Sequence, residues 1–147
     1  MINLDIKDLV MLNQYAQKVI TKDKINSWFS ILDEENQRNL LKQVWVLAWQ
    51  AQVREEDIPK AILSAGLKPT HTPAVILLSG SDKLIQKGNK LLKTKGTVLK
   101  QAFDLVLECF VIADNRRRKK CGAQCHHWWH EDLSKIDIIE KILRNTQ

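Results

Sequence analysis

The sequence is short of the residues that staple or interrupt a chain: its 147 residues include only 3 cysteines, 3 prolines and 5 glycines. Three cysteines, two of them beside histidines, suit a reduced compartment and a metal site better than a disulfide framework. No segment alternates polar and apolar residues at period two between turn signals, which argues against a sheet. No apolar run approaches the roughly 20 residues that cross a bilayer. The opening MINLDIKDLV also lacks the basic-then-apolar order of a secretory signal. The expectation is a soluble, cytoplasmic protein with no membrane partner. Internal repeats, low-complexity tracts and obvious linkers are missing too, and 44% hydrophobic residues suffice for one core. Residues 1–147 are therefore read as a single α-helical domain.

Taken as a sum over the chain, net positive charge is confined to one place. The formal net charge is +6, and the run Arg116, Arg117, Arg118, Lys119 and Lys120 alone carries five positive charges, leaving the remainder nearly balanced. That is a local feature and a thin footprint for a nucleic-acid surface.

What is abundant is helical periodicity. Ile6, Leu9, Val10, Ala16 and Ile20 make a first stripe, with Asn13 on the same face and therefore in need of partners. A short second helix covers Lys24 to Leu32. Asp33 reads as the N-cap of a third, Glu34 to Gln52, whose wide apolar face comprises Leu40, Leu41, Val44, Trp45, Leu47, Ala48 and Ala51. Trp49 and Val46 are left as candidate exposed apolar positions. A fourth helix spans Glu55 to Ala65, with Pro59 in its first turn and Gly66 at its left-handed stop. Thr72 and Pro73 look like an N-cap and first helical residue for Ala74 to Leu78. A polar helix over Asp82 to Lys93 then precedes TVLKQAFDLVLECFVIAD, which is apolar on several sides and reads as the central helix, with Cys109 a buried thiol. Ser134 is placed to cap a last amphipathic helix holding Ile138, Ile139, Ile142 and Leu143. The fold expected is all-α, with about six or seven helices.

The densest chemistry lies in CGAQCHHWWH, Cys121 to His130. Zinc takes thiolate sulfur and imidazole nitrogen in a tetrahedron, and a short loop lets one turn fill two corners. Cys121 and Cys125, three residues apart, meet that requirement, and the spacing of His127 and His130 puts both imidazoles on one face of a helical turn. His126 competes with His127, and His71 is a remote alternative ligand or a partner to one. The long arm that separates the ligand pairs of a zinc finger is missing. Two thiolates would neutralise the ion, which points to a structural site. A zinc hydrolase of the His-Glu-x-x-His type needs a glutamate directly after its first histidine, and aligning His126 and His130 with that motif puts His127 there instead. The deaminase signature is missing as well.

Arg116 to Lys120 have structural roles available: they complement the C-terminal end of the preceding helix dipole, Asp114 can pair with Arg118 one turn on, and the charges favour ionisation of Cys121. Their functional alternative is phosphate contact, with Trp128 and Trp129 free to stack on bases. The same tryptophans otherwise form a lid over metal and core.

Three stretches together resemble a family of small bacterial proteins known as a domain of unknown function: MLNQYAQ (Met11 to Gln17), GLKPTHTPAVILL (Gly66 to Leu78) and DNRRRKKCGAQCHHWWHEDL (Asp114 to Leu133). The most specific match is an Arg-Arg-Arg run followed by Cys-x3-Cys-x-His-Trp-Trp-His-x-Asp-Leu, at Arg116 to Arg118, Cys121, Cys125, His127 to His130, Asp132 and Leu133. The resemblance implies His127 and His130 as the matched histidines in place of His126, and keeps His71 in play through its Pro-Thr-His-Thr-Pro motif. It supplies no activity. The leading expectation is an interaction or regulatory module with structural zinc and a protein partner. The alternatives are nucleic-acid binding through the basic run and tryptophan pair, and a zinc-dependent hydrolase. No residue is assigned a catalytic role.

Overall fold

The computed structural model describes residues 6–68, 73–78 and 83–121. Among the described residues there are seven helices and no strand: α1 (Ile6–Ala16), α2 (Lys22–Ser30), α3 (Glu34–Gln50), α4 (Asp57–Ser64), α5 (Pro73–Leu78), α6 (Leu84–Leu92) and α7 (Thr97–Cys121). The all-α expectation holds for this part of the chain. The helix expected after Ser134 and the cap expected at Thr72 lie outside the described residues.

Helix starts follow local chemistry. Thr21 Oγ1 accepts the Lys24 backbone N–H at 3.3 Å and Asp33 Oδ1 accepts that of Asn36 at 2.8 Å, so each satisfies an amide that the first turn leaves without an intrahelical acceptor. Pro59 is the third residue of α4, where its missing N–H costs no helical bond.

Three helix ends share one closure. After α1, α3 and α4 the chain enters the left-handed region at Lys18 (φ 64°), Gln52 (φ 66°) and Gly66 (φ 72°). In each case the next amide reaches back to the helix: Val19 N to Gln14 O at 2.8 Å, Val53 N to Ala48 O at 2.9 Å and Leu67 N to Ile62 O at 3.2 Å. These are Schellman closures, which satisfy carbonyls that a helix end otherwise leaves open. The sequence announces only the one with glycine. At Gln52 it was read as continuing helix, and α3 in fact stops two residues earlier.

Helix α7 packs against α1, α3, α4 and α5, most extensively against α3. Leu99, Phe103, Val106, Leu107 and Phe110 on α7 are buried with Leu41, Val44, Trp45 and Leu47 on α3, and Phe29 of α2 stacks on Phe103 with ring centroids 4.0 Å apart and planes 11° from parallel. Each such side chain contributes roughly 1.5–3 kcal/mol by leaving water. Cys109 is buried, as expected, and burial pushes its thiol pKa up to about 12. Helix α6 crosses α3 at Gly88, whose bare Cα lies against the edge of the Trp45 indole ring.

Two assignments of the apolar stripes change. Val46 is not a surface residue: it is 0% exposed and belongs to the hydrophobic core. In α1 the inward positions are Leu12 and Ala16, while Val10 is exposed. None of the described helices is long and apolar enough to cross a membrane.

Candidate functional site

The longest revision concerns α7, which does not end near Asp114 but continues through the basic run to Cys121. The arginines are thus helical side chains with fixed directions rather than a tail. Arg118 Nε donates to Asp114 Oδ2 at 2.7 Å, the one-turn pairing expected from the spacing, and Arg118 Nη2 donates to Asn13 Oδ1 on α1. Asn13 Oδ1 also accepts from Gln17 Nε2 at 3.1 Å. The asparagine on the apolar stripe therefore has the inter-helix partner its position demands. Asp114 is 0% exposed in its side chain and Arg118 18%, so this pair sits largely out of water.

Arg116 points to another neighbour. Its Nη2 donates to Asp57 Oδ2 on α4, and the same oxygen accepts the Arg54 backbone N–H at 2.8 Å. Asp57 is 4% exposed, with its carboxylate shared between the start of α4 and the end of α7. Two arginines within one turn of α7 thereby tie it to α4 and to α1. The planar guanidinium, with donors in a fixed fork, suits such bridging better than an ammonium would. Lys119 is exposed.

Lower on α7, Glu108 Oε2 accepts the Tyr15 hydroxyl at 2.7 Å, a second link to α1. Burial raises the pKa of Glu108, opposed by the Tyr15 hydrogen bond and by Lys22. Asp104, one turn away, is also raised by burial, with Lys22 and Lys100 opposing. Tyr15 is pushed up by burial and by its bond to Glu108. Asn13 and Tyr15 are both in the MLNQYAQ stretch. The sequence reading marked the asparagine but missed the tyrosine, Glu108 and Asp57, whose only signal was a polar residue on or beside an apolar stripe.

The proposed ligands are placed as follows. Cys121 closes α7, with its side chain outside what is described. Cys125, His126, His127, His130, His71, Trp128 and Trp129 lie outside the described residues, as does the side chain of Lys120. Among the described residues no group of three or more His, Cys, Asp or Glu is arranged to hold a metal ion. What they provide is the support from which the Cys/His segment departs: a long central helix held by ion pairs just before its first cysteine.

Comparison with known proteins adds one positive finding. Residues 7–132 match the model of a family of unknown function, DUF5958, a span running from α1 through every candidate zinc ligand. No curated protein and no solved structure matches the chain. The chain belongs to this family of unknown function.

Proposed function

We propose that this member of DUF5958 is a helical zinc-binding interaction module, with Cys121, Cys125, His127 and His130 as ligands of a structural zinc. The observation that carries the reading is the anchoring of α7: Arg116 on Asp57 and Arg118 on Asp114 and Asn13 restrain the helix whose last residue is Cys121. A ligand carried on a restrained helix, as Cys121 is, loses less entropy on metal binding than one on a free chain. Spacing supports the rest. Two thiolates balance the charge of the ion, two imidazoles complete a tetrahedron, and four protein ligands leave no coordination position for substrate water. Because Arg116 and Arg118 are engaged with internal carboxylates, their role is better described as holding the helix than as contacting phosphate.

The test is elemental analysis of the full chain purified without added metal, followed by chelation. One zinc per chain is expected, absent in the double variant Cys121→Ser/Cys125→Ser, with a lower melting temperature after chelation that returns on adding zinc. A chain that carries no zinc, or whose helicity and melting are unchanged by its removal, overturns the proposal.

A further inference from the structure

The near balance of charge outside Arg116 to Lys120 is a cancellation. Residues 83–102, which cover α6, the turn after it and the first turns of α7, hold six lysines and no aspartate, glutamate or arginine. Solvated helices usually mix signs one turn apart, as α3 does with Glu34 and Arg38. Helix α6 does not. Lys83, Lys87, Lys90 and Lys93 follow one another at spacings of four, three and three residues, where like charges destabilise a helix.

The fold sorts these lysines. Lys87 is 1% exposed and so is buried, and Lys90 already holds an interaction. Lys83 at the N-cap of α6, Lys93 at its C-cap and Lys95 in the turn are exposed. Lys100 is exposed on α7, where it lies near enough to Asp104 to be partly neutralised. Lys83 and Lys93 stand about 15 Å apart along the helix, so with Lys95 they span the width of several phosphates on a duplex. The same turn leads into the positive end of the dipole of α7, a 25-residue helix with no acidic residue in its first turn.

The chemistry of this face selects its partner. Lysine is a hydrated point charge that suits phosphate, whereas protein interfaces are built on arginine and aromatic residues, and residues 83–102 contain neither. Single strands are held by aromatic stacking, which the same stretch cannot supply. A lipid surface takes up apolar side chains, and the large exposed ones described, Val10, Val19, Ile31, Leu63 and Ile76, lie on other parts of the chain. Contact with the backbone of a duplex asks only for placed cations and carries no base readout. We propose that Lys83, Lys93 and Lys95, with Lys100 at the margin, form a face that binds the phosphate backbone of double-stranded nucleic acid independently of its sequence. This face does not depend on the zinc reading.

Fluorescence anisotropy of the full chain with labelled DNA and RNA duplexes of unrelated sequence, over a range of salt, tests the proposal, with phosphatidylserine vesicles as the competing partner. Similar affinity across sequences is expected, with a slope of log K against log salt of about −3 for roughly three neutralised phosphates. Lys83→Gln/Lys93→Gln/Lys95→Gln should bring that slope close to zero and weaken binding about tenfold or more at low salt, with melting unchanged. Arginine at the same three positions should keep the slope. Lys24→Gln/Lys60→Gln/Lys119→Gln, which removes the same charge from exposed positions elsewhere, should keep it too. Absence of duplex binding at low salt, equal loss in both glutamine variants, or vesicles bound in preference to duplex overturns the proposal.

Discussion

Replacing Gly88 by alanine should destabilise the fold although alanine is the better helix former. A Cβ built on Gly88 overlaps Nε1, Cε2 and Cδ1 of Trp45 well inside the 3.0 Å that real Cβ contacts respect. Trp45 is 0% exposed and among the largest fully buried side chains, so the ring has no solvent to swing into. Relief requires moving α6 off α3, and overpacking of a close-packed interior typically costs about 1–3 kcal/mol. A rigid aromatic neighbour puts this case at the upper end. Against it stands a helix-propensity gain of about 1 kcal/mol for Gly→Ala. The net expectation is a loss of about 2 kcal/mol, or a fall in melting temperature of roughly 4–8 °C for a chain of this size. Urea denaturation followed by circular dichroism at 222 nm measures it. A double-mutant cycle with Trp45→Leu locates the cause, since the penalty of Gly88→Ala should largely vanish where the indole is gone. A variant as stable as the parent, or the same penalty in both backgrounds, would refute the close approach as the reason for glycine.

Three further outcomes follow from the geometry. Lys18→Gly and Gln52→Gly should each stabilise by about 0.5–1 kcal/mol, because both side chains sit in the left-handed region, whereas Gly66→Ala should destabilise by a similar amount despite open space around it; equal melting curves would count against the closures. Arg118→Met should cost about 2–4 kcal/mol in urea titrations, since it removes one cationic partner of a fully buried Asp114 and a donor from Asn13, and Arg118→Lys should recover only part because one ammonium cannot serve both directions as the fork does. Asp104→Asn should gain stability relative to the parent as pH rises. A carboxyl whose folded pKa is raised above its unfolded value binds its proton more tightly when folded, so its contribution is most favourable below the unfolded value and is lost as pH climbs through the folded one. Denaturation at about pH 4 and about pH 7 should therefore show a larger advantage for Asp104→Asn at the higher pH, and an advantage that is constant or reversed would contradict the assigned burial effect.

Much of the architecture is written in patterns that act locally. The broad apolar face of α3, the many-sided burial of α7, the Asp33 cap, the Gly66 stop and the Asp114–Arg118 pair all follow from spacing along one helix. What escaped the sequence depends on which helices meet. Val46 looked exposed because a single helix does not reveal which of its positions neighbours will cover, and Val10 looked inward because the stripe of α1 admits more than one rotation. Lys18 and Gln52 were invisible as helix ends because the left-handed position is normally signalled by glycine or asparagine. The pairing of Arg116 with Asp57 joins residues 59 apart and has no local signature at all. Membership of a family of unknown function, expected from three stretches of the sequence, holds over residues 7–132.

The position of α7 in the order of the chain also dictates how the protein comes into being. The helix against which α1, α3, α4 and α5 are packed is the last of those described to be synthesised. Until residues beyond Thr97 leave the ribosome, α3 lacks the helix it packs against most extensively, and the Asn13–Arg118 bond closes across 105 residues. Nascent chains stopped short of α7 should therefore expose an apolar α3 and invite chaperones or aggregation. Folding would be set off when α7 emerges and the waiting helices condense around it.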